Sequence, residues 1–322
     1  MNPFPYSLDN KRYHTYNYFL KTRYHKKVAK VSLDAHFTCP NRDGTKGFGG
    51  CIFCSEKGSG DFILDSDSLL EQFKAGAEVM KRKWSEAVFI PYFQAYTNTY
   101  ASLDQLKKIY EPFIGMKDVV GIAIATRADC LTEEICAYLE ELSKKTDVYI
   151  ELGLQTIHDT TAKEINRCHT YQEFLDGLSM LRRHHLEVCV HIINGLPNET
   201  IEMMLETAKA VGKLDIQGIK IHNLYVTQNS RLYKLYYPFK MLERDEYISL
   251  VARQLEYIPS HVVIERLTGD APLEELVAPL WSIKKTTILN DIDKYMKAQD
   301  IMQGDLVSLK SVSYTHLRAH ET

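Results

Sequence analysis

No apolar run in this chain of 322 residues approaches the length of a membrane span, and its amino terminus, Met1-Asn-Pro-Phe-Pro-Tyr-Ser7, lacks the apolar core of a secretory signal. Neither charge sign is in excess: 39 Lys and Arg against 42 Asp and Glu give a net charge of −3, which supplies no global attraction to nucleic acid or a membrane surface. Internal repeats and low-complexity tracts are also missing. With charged residues at 25% and apolar residues at 45%, the composition is that of an ordinary globular chain, long enough for one barrel or two smaller domains. A cytoplasmic location is expected. In that reducing setting seven cysteines argue for metal or catalytic use of some of them, not for disulfides.

Three of those cysteines share one loop, Cys39-Pro-Asn-Arg-Asp-Gly-Thr-Lys-Gly-Phe-Gly-Gly-Cys51-Ile-Phe-Cys54. A Cys-x-x-Cys arm can clamp one corner of a metal site, and Gly44, Gly47, Gly49 and Gly50 permit the positive φ values and close backbone approach that wrapping round it needs. A closed zinc site takes four N or S ligands, and a fully protein-ligated 4Fe–4S cluster takes four thiolates. Three thiolates on a cubane leave one iron open, and the donor pair that suits it is the amino and carboxylate group of S-adenosylmethionine (SAM). Zinc with a distant His as fourth ligand, or a metal-free Cys-x-x-Cys, are the alternatives, because soft thiolates accept both metals. Cys130, Cys136, Cys168 and Cys189 have no mutual ligand spacing, and the contexts of Cys136 and Cys189 are those of small buried hydrophobes.

Residues 11–30, KRYHTYNYFLKTRYHKKVAK, carry seven Lys or Arg, no acid and five Tyr or Phe. Such interleaving can follow a phosphate backbone while stacking bases. Equally, it can form an entry segment whose aromatics pack on the domain and whose charges are solvated.

Buried-strand patterns fall at 28–33, 87–93, 121–126, 148–155, 188–194 and 218–226, with helix-length periodic segments between them. Capping boxes mark helix starts at Ser68-x-x-Glu71, Ser102-x-x-Gln105 and Thr170-x-x-Glu173. Strands alternating with helices imply a parallel sheet. Each run ends in polar groups: Asp34 and His36, Gln94 with Tyr96-Thr97-Asn98-Thr99, Thr126-Arg127, Glu151 with Gln155, His191 with Asn194-Gly195, and His222 with Asn223. A site assembled from many strand ends favours a barrel over an open sheet with one switch point. The predicted fold is a partial (βα)6 TIM-like barrel over 1–230. An α-rich extension over 231–311 follows, with helices at 243–257 and 286–297 round a strand-like piece at 261–266. Residues 312–322, VSYTHLRAHET, resemble the translation of a sequencing-library adapter, so the two His there are not counted as ligands, and the native carboxyl terminus is expected to be lost nearby.

Taken together, Lys30-Val-Ser-Leu-Asp-Ala-His-Phe-Thr-Cys-Pro-Asn-Arg-Asp-Gly-Thr45, Tyr92-Phe-Gln-Ala-Tyr-Thr-Asn-Thr-Tyr-Ala101, Glu151-Leu-Gly-Leu-Gln155, Gly195-Leu-Pro197 and Arg266-Leu-Thr-Gly-Asp-Ala-Pro272 resemble the radical SAM superfamily. More narrowly, the chain looks like its YhcC/YtqA type, relatives of the elongator catalytic subunit. The resemblance implies that Cys39, Cys51 and Cys54 ligate a 4Fe–4S cluster whose open iron chelates SAM. It implies that Gln94, Tyr96, Thr97, Asn98 and Thr99 hold the methionyl moiety, that Gln155 meets the ribose, and that Arg167 pairs with the carboxylate. His191, Asn194 and Gly195 are expected at the ribose and adenine. Glu151 is either a cofactor contact or a scaffold carboxylate paired with Arg127. Where relatives have Gly, this chain has Cys168.

The implied activity is reductive cleavage of SAM to methionine and a 5′-deoxyadenosyl radical that takes hydrogen from an unidentified substrate, with RNA, tRNA included, as a candidate. The implied partners are a flavodoxin- or ferredoxin-type electron donor and that substrate, with no membrane. A non-catalytic iron–sulfur electron-transfer or sensor protein and a zinc-containing RNA-binding module are the competing readings.

Overall fold

The computed structural model describes residues 3–58, 60, 63, 66, 68–235, 239–269 and 271–307; the adapter-like tail at 312–322 and position 270 in the 268–272 turn lie outside the described residues. Strands β1 (Val28–Leu33), β2 (Val88–Phe93), β3 (Gly121–Thr126), β4 (Asp147–Gln155), β5 (Glu187–Asn194) and β6 (Gly218–Asn223) are all parallel and lie side by side in chain order. Beyond β7 (Val226–Thr227), which pairs with β9 (Leu276–Ala278) in a separate two-stranded sheet, β8 (Val263–Arg266) joins β6 as a seventh parallel strand. The six expected strands therefore form most of a half-barrel, and the extension supplies its last stave.

Helices α1 (Tyr16–Tyr24), α2 (Leu69–Lys83), α3 (Leu103–Tyr110), α4 (Glu133–Ser143), α5 (Asp159–Glu164), α6 (Tyr171–Arg183), α7 (Ile201–Val211), α8 (Arg231–Lys234), α9 (Arg244–Leu255) and α10 (Lys285–Ala298) complete the order. Thr170 and Glu173 cap each other reciprocally at α6. The Ser68 hydroxyl accepts from the Glu71 N–H at α2, but the Glu71 carboxylate turns to the Ser66 hydroxyl, so only half of that box forms. The strand residues that alternate outwards meet the helices in one apolar layer. Phe93, fully buried, lies between Tyr110 and Phe113 with ring centroids 4.8 and 5.5 Å away, so its truncation to Ala removes roughly 3–5 kcal/mol.

The inward-facing residues stack in layers. Val28, Val88, Ile90, Ala123 and Tyr149 fill the amino-terminal end, where Leu20 of α1 packs on them. Segment 11–30 seals the gap between the two edge strands: α1 contacts both β1 and β8, and the Ile264 N–H donates to the His14 carbonyl at 2.8 Å. Most of its charges are paired within the molecule. Lys11 meets Asp293, Arg12 meets Asp300, Arg23 meets both Asp147 and Glu187, and Lys30 points into the barrel. Its aromatics pack and four of its seven cations have carboxylate partners within the molecule, which fits an entry segment, while Lys21, Lys26 and Lys27 stay exposed.

Candidate functional site

A single cavity of about 570 Å³ opens at the carboxyl ends of the strands, and Cys39, Cys51 and Cys54 all line it. The loop that carries them is held by its own backbone. The Cys39 carbonyl accepts from the Arg42 and Asp43 N–H groups at 2.8 and 3.2 Å, and the Pro40 carbonyl accepts from Lys46 and Gly47 at 2.7 and 3.3 Å. Gly44, Gly49 and Gly50 have φ of +92°, +76° and +75°, conformations that side chains resist. Gly47 is needed for a different reason: a Cβ there would stand 2.8 Å from the Cys168 Sγ. Asn41 ties the thiols together, accepting from the Cys39 Sγ at 2.9 Å while its Nδ2 faces the Cys51 Sγ at 3.4 Å. A hydrogen bond from Cys54, helped by Arg127, holds the Cys51 side of the pair toward thiolate against burial.

Of the residues expected to hold the cofactor, Gln94, Tyr96, Thr97, Glu151, Gln155 and His191 line the same cavity. Tyr96 and Gln155 do so from left-handed backbone, φ +61° and +63°, a strain that collects at functional clefts. The Gln94 Oε1 accepts from the Ser32 hydroxyl at 2.7 Å. Five others do not reach the cavity. Asn98 and Thr99 are buried scaffold: the Asn98 Nδ2 donates to the Ala95 and Ala125 carbonyls, and the Thr99 hydroxyl donates to the Cys130 carbonyl at 2.7 Å. Asn194 lies on the outward face of β5 and forms a reciprocal amide pair with Gln254 of α9, at 2.7 and 2.8 Å. The Gly195 N–H is directed at the Met204 sulfur.

Arg167 departs most from the expected carboxylate partner. Its side chain is fully buried, and the guanidinium donates to the backbone carbonyls of Leu154, Thr156 and His169. Burial pulls its pKa down to about 10. It fastens the end of β4 to the following loop. Arg127, by contrast, does line the cavity. It forks onto Asp129 at 3.0 and 2.8 Å and reaches the Arg167 carbonyl, so it is not the partner of Glu151.

Glu151 is instead the centre of an ionic floor. Its Oε1 meets the Lys30 Nζ at 2.5 Å, and its Oε2 takes the Tyr92 hydroxyl at 2.5 Å and the Lys220 ammonium, with the His191 Nε2 lying 2.9 Å away. Glu265 of β8 joins through Lys30 at 2.8 Å. Burial pushes the Glu151 pKa up, but Lys220 and Lys30, helped by His191, hold it well below the ordinary range. His222 stands among the strand-end groups named from the sequence, but Lys30, Lys220 and Arg266 were not picked out as site residues. The signal was present in strand alternation: in VAKVSL and GIKIHN a single Lys sits at an inward position among apolar neighbours.

The radical SAM superfamily profile matches residues 39–211, and the Radical SAM C-terminal domain profile matches residues 216–298. The chain is 48% identical over 306 residues to the protein YtqA of Bacillus subtilis, covering 94% of this chain and 95% of that one. The chain belongs to the radical SAM superfamily. It is a radical SAM enzyme, and membership of that superfamily implies a 4Fe–4S cluster and SAM. It is 26% identical over 207 residues to a tRNA uridine(34) acetyltransferase of Methanocaldococcus jannaschii, covering 62% of this chain and 37% of that one. Among solved structures the archaeal Methanocaldococcus infernus Elp3 superposes with a TM-score of 0.65 at 19% identity over 86% of this chain and 64% of that one, a likeness of fold.

The donor set fits the radical SAM cluster. All seven cysteines are free, and the three of the loop face one cavity. Among the described residues no three His, Cys, Asp or Glu side chains converge tightly enough for a single metal ion.

Proposed function

We propose that Cys39, Cys51 and Cys54 hold a 4Fe–4S cluster at the mouth of the cavity, with SAM beside it against Gln94, Tyr96, Thr97, Gln155 and His191. The observation that carries this is the convergence of three free thiols and these strand-end polar groups on one cavity. With both groups bound, the chemistry supplied is one-electron cleavage of SAM to methionine and a 5′-deoxyadenosyl radical, which takes a hydrogen atom from the substrate.

The chain's own residues orient and insulate that chemistry. The Asn41 amide sits between two of the thiols and donates toward Cys51, and hydrogen bonds to ligand sulfur tune a cluster's potential. Arg127 sets a positive charge beside Cys51 that favours its thiolate. The carboxamides of Gln94 and Gln155 suit the polar groups of a nucleoside, while Phe53, Ile193 and Leu224 keep part of the wall apolar. Cys54 is the least buried of the three thiols, which makes its side the entry for an electron from a flavodoxin- or ferredoxin-type donor. Free thiols throughout suit the reducing cytoplasm.

RNA is a second reading of the substrate, favoured by the relative named as a tRNA uridine(34) acetyltransferase. The basic segment 11–30 adds little to it, because Lys11, Arg12, Arg23 and Lys30 are already paired with carboxylates of the molecule.

Anaerobic reconstitution with iron and sulfide tests the ligand assignment. Cys51→Ala is expected to lose the cluster's visible absorbance while keeping its far-ultraviolet circular dichroism. A variant with undiminished absorbance would refute it.

A further inference from the structure

Two cations and two anions of the barrel floor neutralise one another, and one cation is left over. Lys30 and Lys220 share Glu151, and the Glu265 Oε2 lies 2.8 Å from the Lys30 Nζ and 3.7 Å from the Lys220 Nζ. Arg266 is in register with Lys220 and lines the same cavity. Among the described residues no carboxylate is within ion-pair distance of its guanidinium, and it makes no side-chain hydrogen bond. Nearby on β6, His222 also lines the cavity, and its Nε2 is shut off from solvent without a hydrogen-bond partner. Burial, and then the Arg266 charge, hold the His222 pKa well below its ordinary value, so the ring is neutral and either nitrogen can carry the proton.

A buried ring nitrogen without a partner and an enclosed cation without a counter-ion each cost free energy. One oxyanion between them removes both costs, because a guanidinium presents a planar fork to carboxylate or phosphate and the imidazole adds a further N–H. The floor carboxylates do not oppose it. Both are already bound by Lys30 and Lys220.

We propose that Arg266 and His222 form the anion-holding end of the substrate site, and that the substrate is a small molecule with a terminal carboxylate or phosphate. The substrate role rests on the radical SAM reading; the anion site itself does not. The shape of the cavity supports a small ligand. Below, Val28, Val88 and Ile90 packed on Leu20 make the cavity blind. A phosphodiester within a polynucleotide continues in two directions, so it does not fit a blind end, whereas a terminal group does.

The test is calorimetric titration of the cluster-loaded protein with inorganic phosphate and, separately, with acetate, with and without SAM present. The expected result is saturable binding of at least one anion that persists with SAM bound and weakens at least about tenfold in Arg266→Gln, the loss of one charge-assisted pair. The tighter anion identifies the head group. His222→Gln is expected to weaken the same anion, and in the unaltered protein the His222 ring resonances should move on titration, which keeps the proposal testable if Arg266→Gln fails to fold. Binding of neither anion, binding that survives Arg266→Gln, or displacement of the anion by SAM overturns the proposal. A loaded protein that binds the anion through Arg266 yet releases no methionine from SAM overturns the substrate role and the radical reading, while the anion site stands.

Discussion

Glu151 on β4 and Lys30 on β1 meet across the barrel interior, Oε1 to Nζ 2.5 Å, with the Glu151 side chain wholly shut off from solvent. The pair spans strands three positions apart in the sheet. It therefore fixes the curvature that brings the strand ends round the cavity.

Removing that anion leaves Lys30 and Lys220 facing each other in a buried setting. Glu151→Gln is expected to lower stability by roughly 3–5 kcal/mol, read as a reduced urea midpoint at unchanged slope. The pH dependence follows from the lowered pKa of Glu151. A carboxyl whose folded value is depressed contributes fully above its unfolded value of about 4.3, and the contribution is lost as pH falls from there through the folded value. Parent and variant should converge in stability in acid. A difference that stays constant into acid contradicts the ionic floor.

Arg167 is expected to act through the fold. Arg167→Lys cannot serve the carbonyls of Leu154, Thr156 and His169 together, and should lose roughly 2–4 kcal/mol of stability, while the folded fraction keeps its affinity for SAM. Weakened SAM binding at unchanged stability would restore it as the carboxylate partner.

Segment 11–30 is expected to be structural. Arg23→Ala should cost about 1 kcal/mol through Asp147 and Glu187 and leave any RNA affinity, with its salt dependence, unchanged in filter binding. A parallel drop in salt-sensitive RNA affinity would make the segment a nucleic-acid site.

Cys168 occupies left-handed backbone with φ +61°, where a side chain is strained and glycine is not. Cys168→Gly is expected to raise stability by about 0.5–1 kcal/mol after the entropy of the unfolded glycine is set against the relieved strain. Cys168→Ala should give none of that gain in the same melt. Equal gains would remove the backbone explanation.

Much of this was legible in the sequence, and the exceptions have physical reasons. Apolar runs with polar ends located six strands because parallel strands are buried on both faces. The loop cysteines were found because ligand spacing is local. The seventh strand was half seen: 261–266 read as a strand, but nothing local says that it will pair with β6. Asn194 was misplaced by proximity to His191; strand parity puts 191 and 193 inward and 194 outward. Arg167 escaped because a side chain that turns back to its own loop's carbonyls leaves no sequence pattern. The same holds for the Lys30, Glu151 and Glu265 network, whose partners are 121 and 235 residues from Lys30 in the chain.

The central claim is that the three thiols and the cavity beneath them hold a cluster and SAM for radical chemistry. The most direct measurement is to reconstitute the protein anaerobically, reduce it with dithionite in the presence of SAM, and quantify methionine and 5′-deoxyadenosine. Both products should form in equal amounts and disappear in Cys51→Ala. A cluster-loaded, SAM-bound protein that yields neither would contradict the account.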